Sequence, residues 1–344
     1  MSTAPSTGSF GPEQFVHEQI ETNGISIHTV SVGEGPLVVF CHGFPESWYS
    51  WRHQLPVVAA AGFRAVALDM RGYGLTSAPG DIGAYSLSHL VGDVVGVVNA
   101  LGADSAVVVG HDWGAPVAWY SALMRPDLFR AVAAMSVPYT APFGALPEGV
   151  TLNELMRMNA AGRDYYRLFF QEPGVAEADL EADVHRSVLG VLYSISGDIV
   201  ADGVHSEGWD GHFPMGQTFT QQFVLPEHLP SWLTEADVAF YTAELTRTGF
   251  RGGLNWYRNM NALPGILAPF TGAAIHQPAL YLGGELDMIA GNTSEALALL
   301  PLVIPGLRST TIYPGAGHWL QQERAAEVNT ELVSFLVGLD RLDG

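Results

Sequence analysis

The chain has 344 residues, of which 48% are hydrophobic and only 15% are charged. This composition predicts a folded globular protein with one large core, or a core that carries a sizeable insertion, and argues against a disordered chain. The formal net charge of −20 makes phosphate backbones and anionic membranes unfavourable partners, so neither nucleic acid nor a membrane is expected.

Cysteine content and the length of the apolar runs exclude proteins held by disulfides, CxxC zinc proteins and membrane-spanning proteins. The single cysteine, Cys41, rules out an intrachain disulfide and a CxxC zinc site, and we expect no metal or cofactor. No run approaches the ~20 apolar residues of a transmembrane helix. The N-terminal sequence MSTAPSTGSFGPEQ lacks the basic and apolar regions of a secretory signal, so we expect a cytoplasmic protein.

Short apolar runs alternate with helical patterns in the first part of the chain. Buried strands are predicted at Pro36–Phe40, Arg64–Asp69, Ser105–Gly110 and Ala131–Val137, each ending at a turn. Helical patterns are found at His89–Leu101 and Pro116–Met124. This alternation predicts an open, mostly parallel α/β sheet with helices on both of its faces.

The pattern changes near Pro142 and stays different to about Leu263. Helices are predicted there at Leu152–Phe170, Glu177–Val191 and Glu235–Thr248, with no alternation of strands and turns. Strands return at Pro278–Gly284 and Ser309–Gly315, and a helix at Glu323–Leu339 closes the chain. We therefore predict an α/β core of residues 1–141 and 264–344, interrupted by a mostly helical insertion of residues 142–263.

The segment VVVGHDWGAPVAW points most directly to chemistry. A buried strand runs into Gly-His-Asp-Trp-Gly and a helix follows at once, which is the pattern of a nucleophile elbow centred on Asp112. Gly110 and Gly114 allow the turn to close, and it presents Asp112 at the carboxyl edge of the sheet. The alternative is that Asp112 only caps the helix, but the flanking glycines and the apolar strand argue against it.

A carboxylate at this elbow, in place of the usual serine, changes the chemistry. Attack of Asp112 on an ester carbonyl would give an anhydride, whereas attack on a strained or activated sp³ carbon gives an alkyl ester that a second step can hydrolyse. Asp112 therefore indicates substrates with an epoxide ring or a carbon–halogen bond.

Partners for this nucleophile are expected downstream, in the order acid and then histidine. Asp287 follows the strand at Pro278–Gly284, with Glu285 as a competitor two residues closer to the strand. His318 lies in the Gly-rich loop YPGAGHW, where it could activate water while Asp287 orients its ring.

The turn HGFPESW follows the first buried strand and faces the same edge. The backbone N–H groups of Phe44 and Trp113 are the expected oxyanion donors. The alternative reading is an ordinary turn in which Pro45 restricts φ. The predicted apolar pocket takes in His42, Phe44, Trp113 and Trp256, with Trp209, Phe213, Phe219 and Phe223 from the insertion.

Taken together, these motifs resemble the epoxide hydrolase branch of the α/β-hydrolase superfamily over nearly the whole chain. The similar segments are HGFPESWYSWRHQ, ALDMRGYG, GHDWGAPVAW, FFQEPGVAEADL, GFRGGLNWYRN and GHWLQQE. The resemblance implies that residues 142–263 form a cap domain, that the substrate is a small epoxide opened to a vicinal diol, and that a homodimer forms through the cap.

The resemblance also implies two cap tyrosines, Tyr257 in LNWYRN and Tyr166 in DYYRLFFQEPG. Tyr165 competes with Tyr166, but neighbours on a helix point about 100° apart and only one of them can face the site. A tyrosine hydroxyl stays protonated at neutral pH, with an ordinary pKa near ~10, and can donate to the oxygen of an opening epoxide.

Two other readings compete with an epoxide hydrolase. The first is a haloalkane dehalogenase on the same fold, in which the Trp113 indole would hold the halide. By resemblance to those enzymes, a second halide donor would be an asparagine after the HG of the first turn or a residue of the cap. Phe44 occupies the first of these positions and cannot donate from its side chain, which weakens this reading. The second is a hydrolase-fold protein that only binds ligands, which the presence of nucleophile, base and acid disfavours.

Overall fold

The fold is built around one mixed β-sheet. The computed structural model describes residues 15–142, 146–147, 149–205, 208–287 and 294–340. Its strands are β1 (Val16–Thr22), β2 (Ile25–Val32), β3 (Leu37–Cys41), β4 (Arg64–Leu68), β5 (Ala106–His111), β6 (Phe129–Met135), β7 (Asp164–Tyr165), β8 (His212–Phe213), β9 (Ala279–Gly284) and β10 (Leu307–Tyr313).

Helices cover the sheet and make up most of the insertion. In chain order the α-helices are α1 (Leu55–Ala60), α2 (Leu87–Ala100), α3 (Gly114–Met124), α4 (Leu152–Asn159), α5 (Tyr166–Phe169), α6 (Val175–Glu181), α7 (Val184–Ser194), α8 (Asp198–Ala201), α9 (Glu235–Thr248), α10 (Arg251–Arg258), α11 (Leu263–Leu267), α12 (Ser294–Val303), α13 (Leu320–Glu323) and α14 (Ala325–Asp340). Among the described helices, none is long and apolar enough to cross a membrane.

The predicted α/β architecture is confirmed. Within the described residues, eight strands form a sheet in the order β1-β2-β4-β3-β5-β6-β9-β10, and β7 pairs with β8 apart from it. The pairings from β4 across to β10 are parallel, and β1 and β2 add an antiparallel edge. All eight strands lie outside residues 142–263, and the division into a core and a cap domain stays a prediction.

Strand order explains why the candidate residues meet. Strands β3, β5, β6, β9 and β10 are neighbours, so the loops after their carboxyl ends lie side by side along one edge. The chain passes from β3 to β4 on one side and later returns to place β5 on the other side of β3. Such a change of direction opens a crevice at the carboxyl edge, where open α/β sheets bind ligands.

Several predicted elements need correction. Strands β1 and β2 were not predicted, and β1 is a mostly exposed edge strand without the apolar run that marks a buried one. The predicted helix Leu152–Phe170 is wrong as one element, because positive φ at Ala161 and Gly162 breaks it and β7 follows. The predicted helix Glu177–Val191 is likewise two helices, because the Asp183 side chain caps the start of α7.

The N-terminal stretch 1–14, on which the prediction of no secretory signal rests, lies outside the described residues.

Candidate active site

Asp112 lies at the sharp turn between β5 and α3. Its φ of +49° falls in the left-handed region, which costs a non-glycine residue of order 1–3 kcal/mol. A Cβ on Gly110 would lie 2.0 Å from the Gly114 carbonyl oxygen, and a Cβ on Gly114 would lie 2.0 Å from the Cys41 carbonyl oxygen. Both glycines are therefore required, and the strained turn presents the Asp112 side chain at the edge of the sheet.

The Asp112 carboxylate is held by the backbone and faces a histidine. Its Oδ1 accepts a 2.7 Å hydrogen bond from the backbone N–H of Phe44, and its Oδ2 lies 3.6 Å from Nε2 of His318. This hydrogen bond comes from a different loop, and no side chain caps the start of helix α3. The alternative in which Asp112 only caps the helix is therefore not what the structure has. Burial raises the pKa of Asp112, and the His318 charge opposes that shift.

His318 is held by the acid that the sequence favoured. Its Nδ1 lies 3.1 Å from each carboxylate oxygen of Asp287. Glu285, the competitor, is exposed and accepts a hydrogen bond from the Gly315 backbone instead. Burial alone would lower the pKa of His318, but Asp287 and then Asp112 raise it to about 9. Burial would raise the pKa of Asp287, and the His318 charge lowers it.

Ser136, at the carboxyl end of β6, is a site residue that the sequence analysis missed. Its hydroxyl donates a 2.6 Å hydrogen bond to Oδ2 of Asp287 and lies 3.0 Å from Nδ1 of His318. The backbone there has φ +72°, and the Tyr281 hydroxyl donates to the Ser136 carbonyl oxygen at 2.5 Å. A serine placed directly after a buried strand was the signal that could have identified it.

A buried ion pair of Glu46 and His111, also missed, lies beneath the nucleophile. Nδ1 of His111 is 2.8 Å from Oε1 of Glu46, and its Nε2 is 2.7 Å from the His318 carbonyl oxygen. Burial would raise the pKa of Glu46, but the His111 charge lowers it to about 2. The two ring nitrogens of His111 thus face a carboxylate and a carbonyl oxygen, and they link Glu46 to the loop that carries His318.

Two tyrosines from the insertion face the same cavity as Asp112. Tyr166 begins α5 and Tyr257 lies in α10, with their ring centroids 5.9 Å apart. The Tyr257 ring packs edge-on against Trp113 at 5.1 Å. Burial raises the pKa of both phenols, and the Asp112 charge adds to the rise for Tyr257. Both hydroxyls therefore remain protonated donors at neutral pH.

The local backbone shows which of Tyr165 and Tyr166 faces the cavity. Tyr165 is the last residue of β7 and has an extended backbone, so the pair lies at a strand–helix junction and not within a helix, as the sequence argument assumed. Tyr165 stacks on His212 at 4.5 Å, whereas Tyr166 lines the cavity. Arg167, which the sequence analysis did not consider, donates from Nε to the Tyr166 hydroxyl oxygen at 2.9 Å.

The cavity over Asp112 has a volume of about 310 Å³ and walls that are mainly apolar. Its lining residues include Trp113, Trp119, Tyr139, Met260, Leu263 and Leu267 beside Tyr166 and Tyr257. Asp112, Tyr166 and Tyr257 also line an adjacent pocket of about 20 Å³, large enough for one water molecule. His318, Phe44, Trp209 and Phe219 line this smaller pocket. The two spaces suit an apolar substrate and a reacting water, respectively.

Four residues assigned to the pocket line neither space beside Asp112: His42, Trp256, Phe213 and Phe223. His42 is fully buried, with Nε2 accepting from the Met70 backbone and Nδ1 2.8 Å from the Gly43 carbonyl oxygen. Trp256 donates from its indole nitrogen to the Arg71 carbonyl oxygen and is 1% exposed. Neither His42 nor Trp256 lines the two spaces, because each side chain is used for packing and hydrogen bonds at the base of the site.

Metal-ligating side chains do not cluster in the described part of the chain. No group of three or more His, Cys, Asp or Glu side chains there has the geometry to hold a metal ion. Cys41 is buried, and burial raises the pKa of its thiol far above the ordinary value. The Cys41 thiol is therefore not a reactive thiolate, and the carboxylate of Asp112 stays the candidate nucleophile.

Known proteins resemble the chain over nearly its full length. Residues 36–325 match the family model described as alpha/beta hydrolase fold. Epoxide hydrolase B of Mycobacterium tuberculosis is 40% identical over 94% of this chain and 99% of its own, and an epoxide hydrolase of Caballeronia sordidicola is 41% identical over 93% of each. The solved structure of an epoxide hydrolase from an endophytic Streptomyces is 43% identical, with a TM-score of 0.89 over 95% of this chain and 96% of its own.

Proposed function

The chain belongs to the α/β-hydrolase fold family and to its epoxide hydrolase branch, and from this membership and the site geometry we propose that it hydrolyses epoxides to vicinal diols. Asp112 is the nucleophile, His318 the base, and Asp287 the residue that orients the base. Residues 142–263 are the cap domain, which supplies Tyr166 and Tyr257. One observation carries the proposal: a carboxylate held by a backbone N–H faces two tyrosine hydroxyls across one apolar cavity.

In the first step, Oδ2 of Asp112 attacks a ring carbon. Oδ1 is engaged by the Phe44 N–H, so Oδ2 is the oxygen available to form the new bond. The C–O bond of the ring breaks, and the oxygen leaves as an alkoxide that needs a proton. Tyr166 and Tyr257 lie on the cap side of the cavity and donate to that oxygen. The product is a 2-hydroxyalkyl ester of Asp112.

In the second step, His318 activates a water molecule that attacks Cγ of the ester. Ester formation removes the Asp112 charge, which is one of the charges that raise the pKa of His318 in the free enzyme. The imidazole therefore loses its proton more readily in the ester and becomes a base when one is needed. The small pocket beside His318 is where that water would lie.

Hydrolysis of the ester passes through a tetrahedral centre at Cγ, which collapses as the Cγ–Oδ2 bond breaks. The diol leaves with Oδ2 and takes the proton of the new carboxyl group, which restores the Asp112 carboxylate. Negative charge develops on the oxygen that already accepts from the Phe44 N–H, so this donor is in place before the charge forms. The Trp113 N–H stays the predicted second donor. Asp287, with Ser136 on its Oδ2, stabilises the imidazolium that results from proton transfer.

A single turnover in oxygen-18 water with excess enzyme tests this route. The first diol formed should carry no label, and a peptide that contains Asp112 should gain one oxygen-18, because the water attacks Cγ and not the substrate. Label in the first diol would show direct attack by water and would refute the covalent route. Tyr257→Phe separates epoxide opening from dehalogenation: halide departure needs no proton, so only epoxide opening should slow.

A further inference from the structure

The two cap tyrosines have different surroundings. Nε of Arg167 donates a hydrogen bond to the Tyr166 hydroxyl oxygen at 2.9 Å, and its guanidinium carbon lies 5.5 Å from the centre of the Tyr166 ring. Arg167 also lines the large cavity. Its charge reaches Tyr257 as well, but the Nε hydrogen bond goes to Tyr166.

This hydrogen bond orients the Tyr166 hydroxyl. A guanidinium only donates and is always protonated, so the phenol oxygen must be the acceptor. The one hydroxyl hydrogen is then free to be donated to another acceptor, and Tyr166 lines both spaces beside Asp112, where the substrate oxygen would lie. Tyr166 is thus presented to the substrate as a donor, before the substrate arrives.

The charge of Arg167 matters when the proton moves. A tyrosine that gives its proton to an alkoxide becomes a phenolate, which is costly in a buried site. A guanidinium hydrogen-bonded to that oxygen stabilises the negative charge in place. Burial raises the pKa of Tyr166, and the Arg167 charge and hydrogen bond both act against the rise.

We propose that Arg167 is a positioning residue that makes Tyr166 the proton donor for ring opening, while Tyr257 contributes a hydrogen bond and keeps its proton. The proposal rests on the proposed function. As the Asp112–carbon bond forms and the ring C–O bond breaks, the Tyr166 proton goes to the departing oxygen. Once the ester has formed, His318 gives its proton to the Tyr166 phenolate and then takes a new one from the attacking water. The hydroxyl that this water leaves on Cγ gives its proton to the departing diol oxygen, so the cycle closes without a net change in the enzyme.

Single-turnover kinetics with Arg167→Met test the proposal. Alkylation of Asp112 is followed by tryptophan fluorescence, since Trp113 adjoins the nucleophile, and ester hydrolysis is followed by mass spectrometry of the intact protein. Two epoxides are compared, one with a methyl and one with a trifluoromethyl substituent, because the fluorinated alkoxide is less basic and needs acid assistance less.

Arg167→Met should slow alkylation by the methyl epoxide about 10- to 100-fold. Alkylation by the trifluoromethyl epoxide should slow much less, and ester hydrolysis should keep its rate. Arg167→Lys should recover part of the loss, because it restores a cation. Equal slowing of both substrates, or slowing of both steps, would show that Arg167 acts only on folding or packing and would overturn the proposal. An unchanged alkylation rate would overturn it as well.

Two controls isolate the effect. Arg163→Met removes a partly exposed arginine paired with Asp210 and should leave both steps unchanged. In a Tyr166→Phe background, Arg167→Met should have no further effect, whereas in a Tyr257→Phe background it should keep its full effect. Additive losses in both backgrounds would contradict an action through Tyr166. If wild-type enzyme forms no Asp112 ester at all, the proposed function fails independently of Arg167.

Discussion

The α/β core and the proposed cap, residues 142–263, hold their parts of the site by different means. On the core side, hydrogen bonds from backbone and side chains fix Asp112, His318 and Asp287. Asp112 also lies on a strained turn that only glycine neighbours permit. On the cap side, Tyr166 and Tyr257 are held mainly by aromatic packing, with few hydrogen bonds. Bond formation to carbon tolerates little displacement, whereas a hydroxyl donor can follow a moving oxygen.

The two regions are joined at the loop that carries His318. The His318 backbone N–H donates to the Ile195 carbonyl oxygen of the cap at 2.9 Å. The Glu323 carboxylate accepts from the backbone of Gly317 and Trp319 in that loop and of Gly197 in the cap. The base is therefore positioned by both regions, and the comparison predicts that core substitutions and cap substitutions will affect different steps.

The largest effect should come from Asp112→Asn in the core. Asparagine tolerates positive φ and keeps the shape of the side chain, but it is not a nucleophile. We expect epoxide hydrolysis to fall by about 10,000-fold or more, with a melting temperature no lower than that of wild type, since a buried charge is removed. Glu285→Gln, an exposed acid beside the same edge, should retain activity. Substantial turnover by Asp112→Asn would contradict the assignment of the nucleophile.

The next largest effect on turnover is expected for two variants that should block different steps, His318→Gln and Tyr166→Phe. His318→Gln should form the Asp112 ester and then stop, losing about 1,000-fold in turnover, because water is no longer activated. Tyr166→Phe should instead form the ester about 100-fold more slowly and hydrolyse it normally. Intact-protein mass spectrometry after mixing with an epoxide measures both. Accumulation of ester in the tyrosine variant would contradict this division between core and cap.

A smaller effect is expected for Ser136→Ala, which tests how the core orients its base. The variant removes the 2.6 Å hydrogen bond to Asp287 but leaves Asp112 untouched. We expect about a 10-fold loss in ester hydrolysis and little change in ester formation, as is usual for residues that orient catalytic side chains. Ser121→Ala, a buried hydroxyl in α3, is the matched control and should behave as wild type. Equal slowing of both steps would indicate a general packing defect.

The smallest effect concerns the pH dependence of stability. The folded-state pKa of His318 is raised from 6.5 to about 9, so the stabilisation from its charge is complete below 6.5 and is lost as the pH rises to 9. Denaturant unfolding of wild type and His318→Gln should therefore show a stability difference that shrinks over this range. A difference that stays constant from pH 6 to 10 would mean that the Asp287 and Asp112 charges do not act on His318.

Sequence patterns predicted the strands and the elbow of the core better than they predicted the helices of the proposed cap. Local patterns determine the elbow, because the strand, the two glycines and the following helix are consecutive, and the parallel strands follow from apolar runs of ordinary length. In the cap, short helices are broken by backbone turns at Ala161 and Gly162 and capped by Asp183, so periodicity merged separate helices. The sequence did not predict β1, because its residues are mostly polar and form a strand only by pairing with β2.

By itself, the sequence determined the α/β architecture, the family, and which carboxylate stands at the elbow, since each depends on residues that are close together in the chain. Only the tertiary structure decided that Asp287 and not Glu285 meets His318, that Ser136, Glu46 and His111 support them, and that Arg167 bonds to Tyr166. It also turned His42 and Trp256 away from the cavity. These outcomes depend on the direction of side chains after distant strands are brought together, which no local pattern encodes.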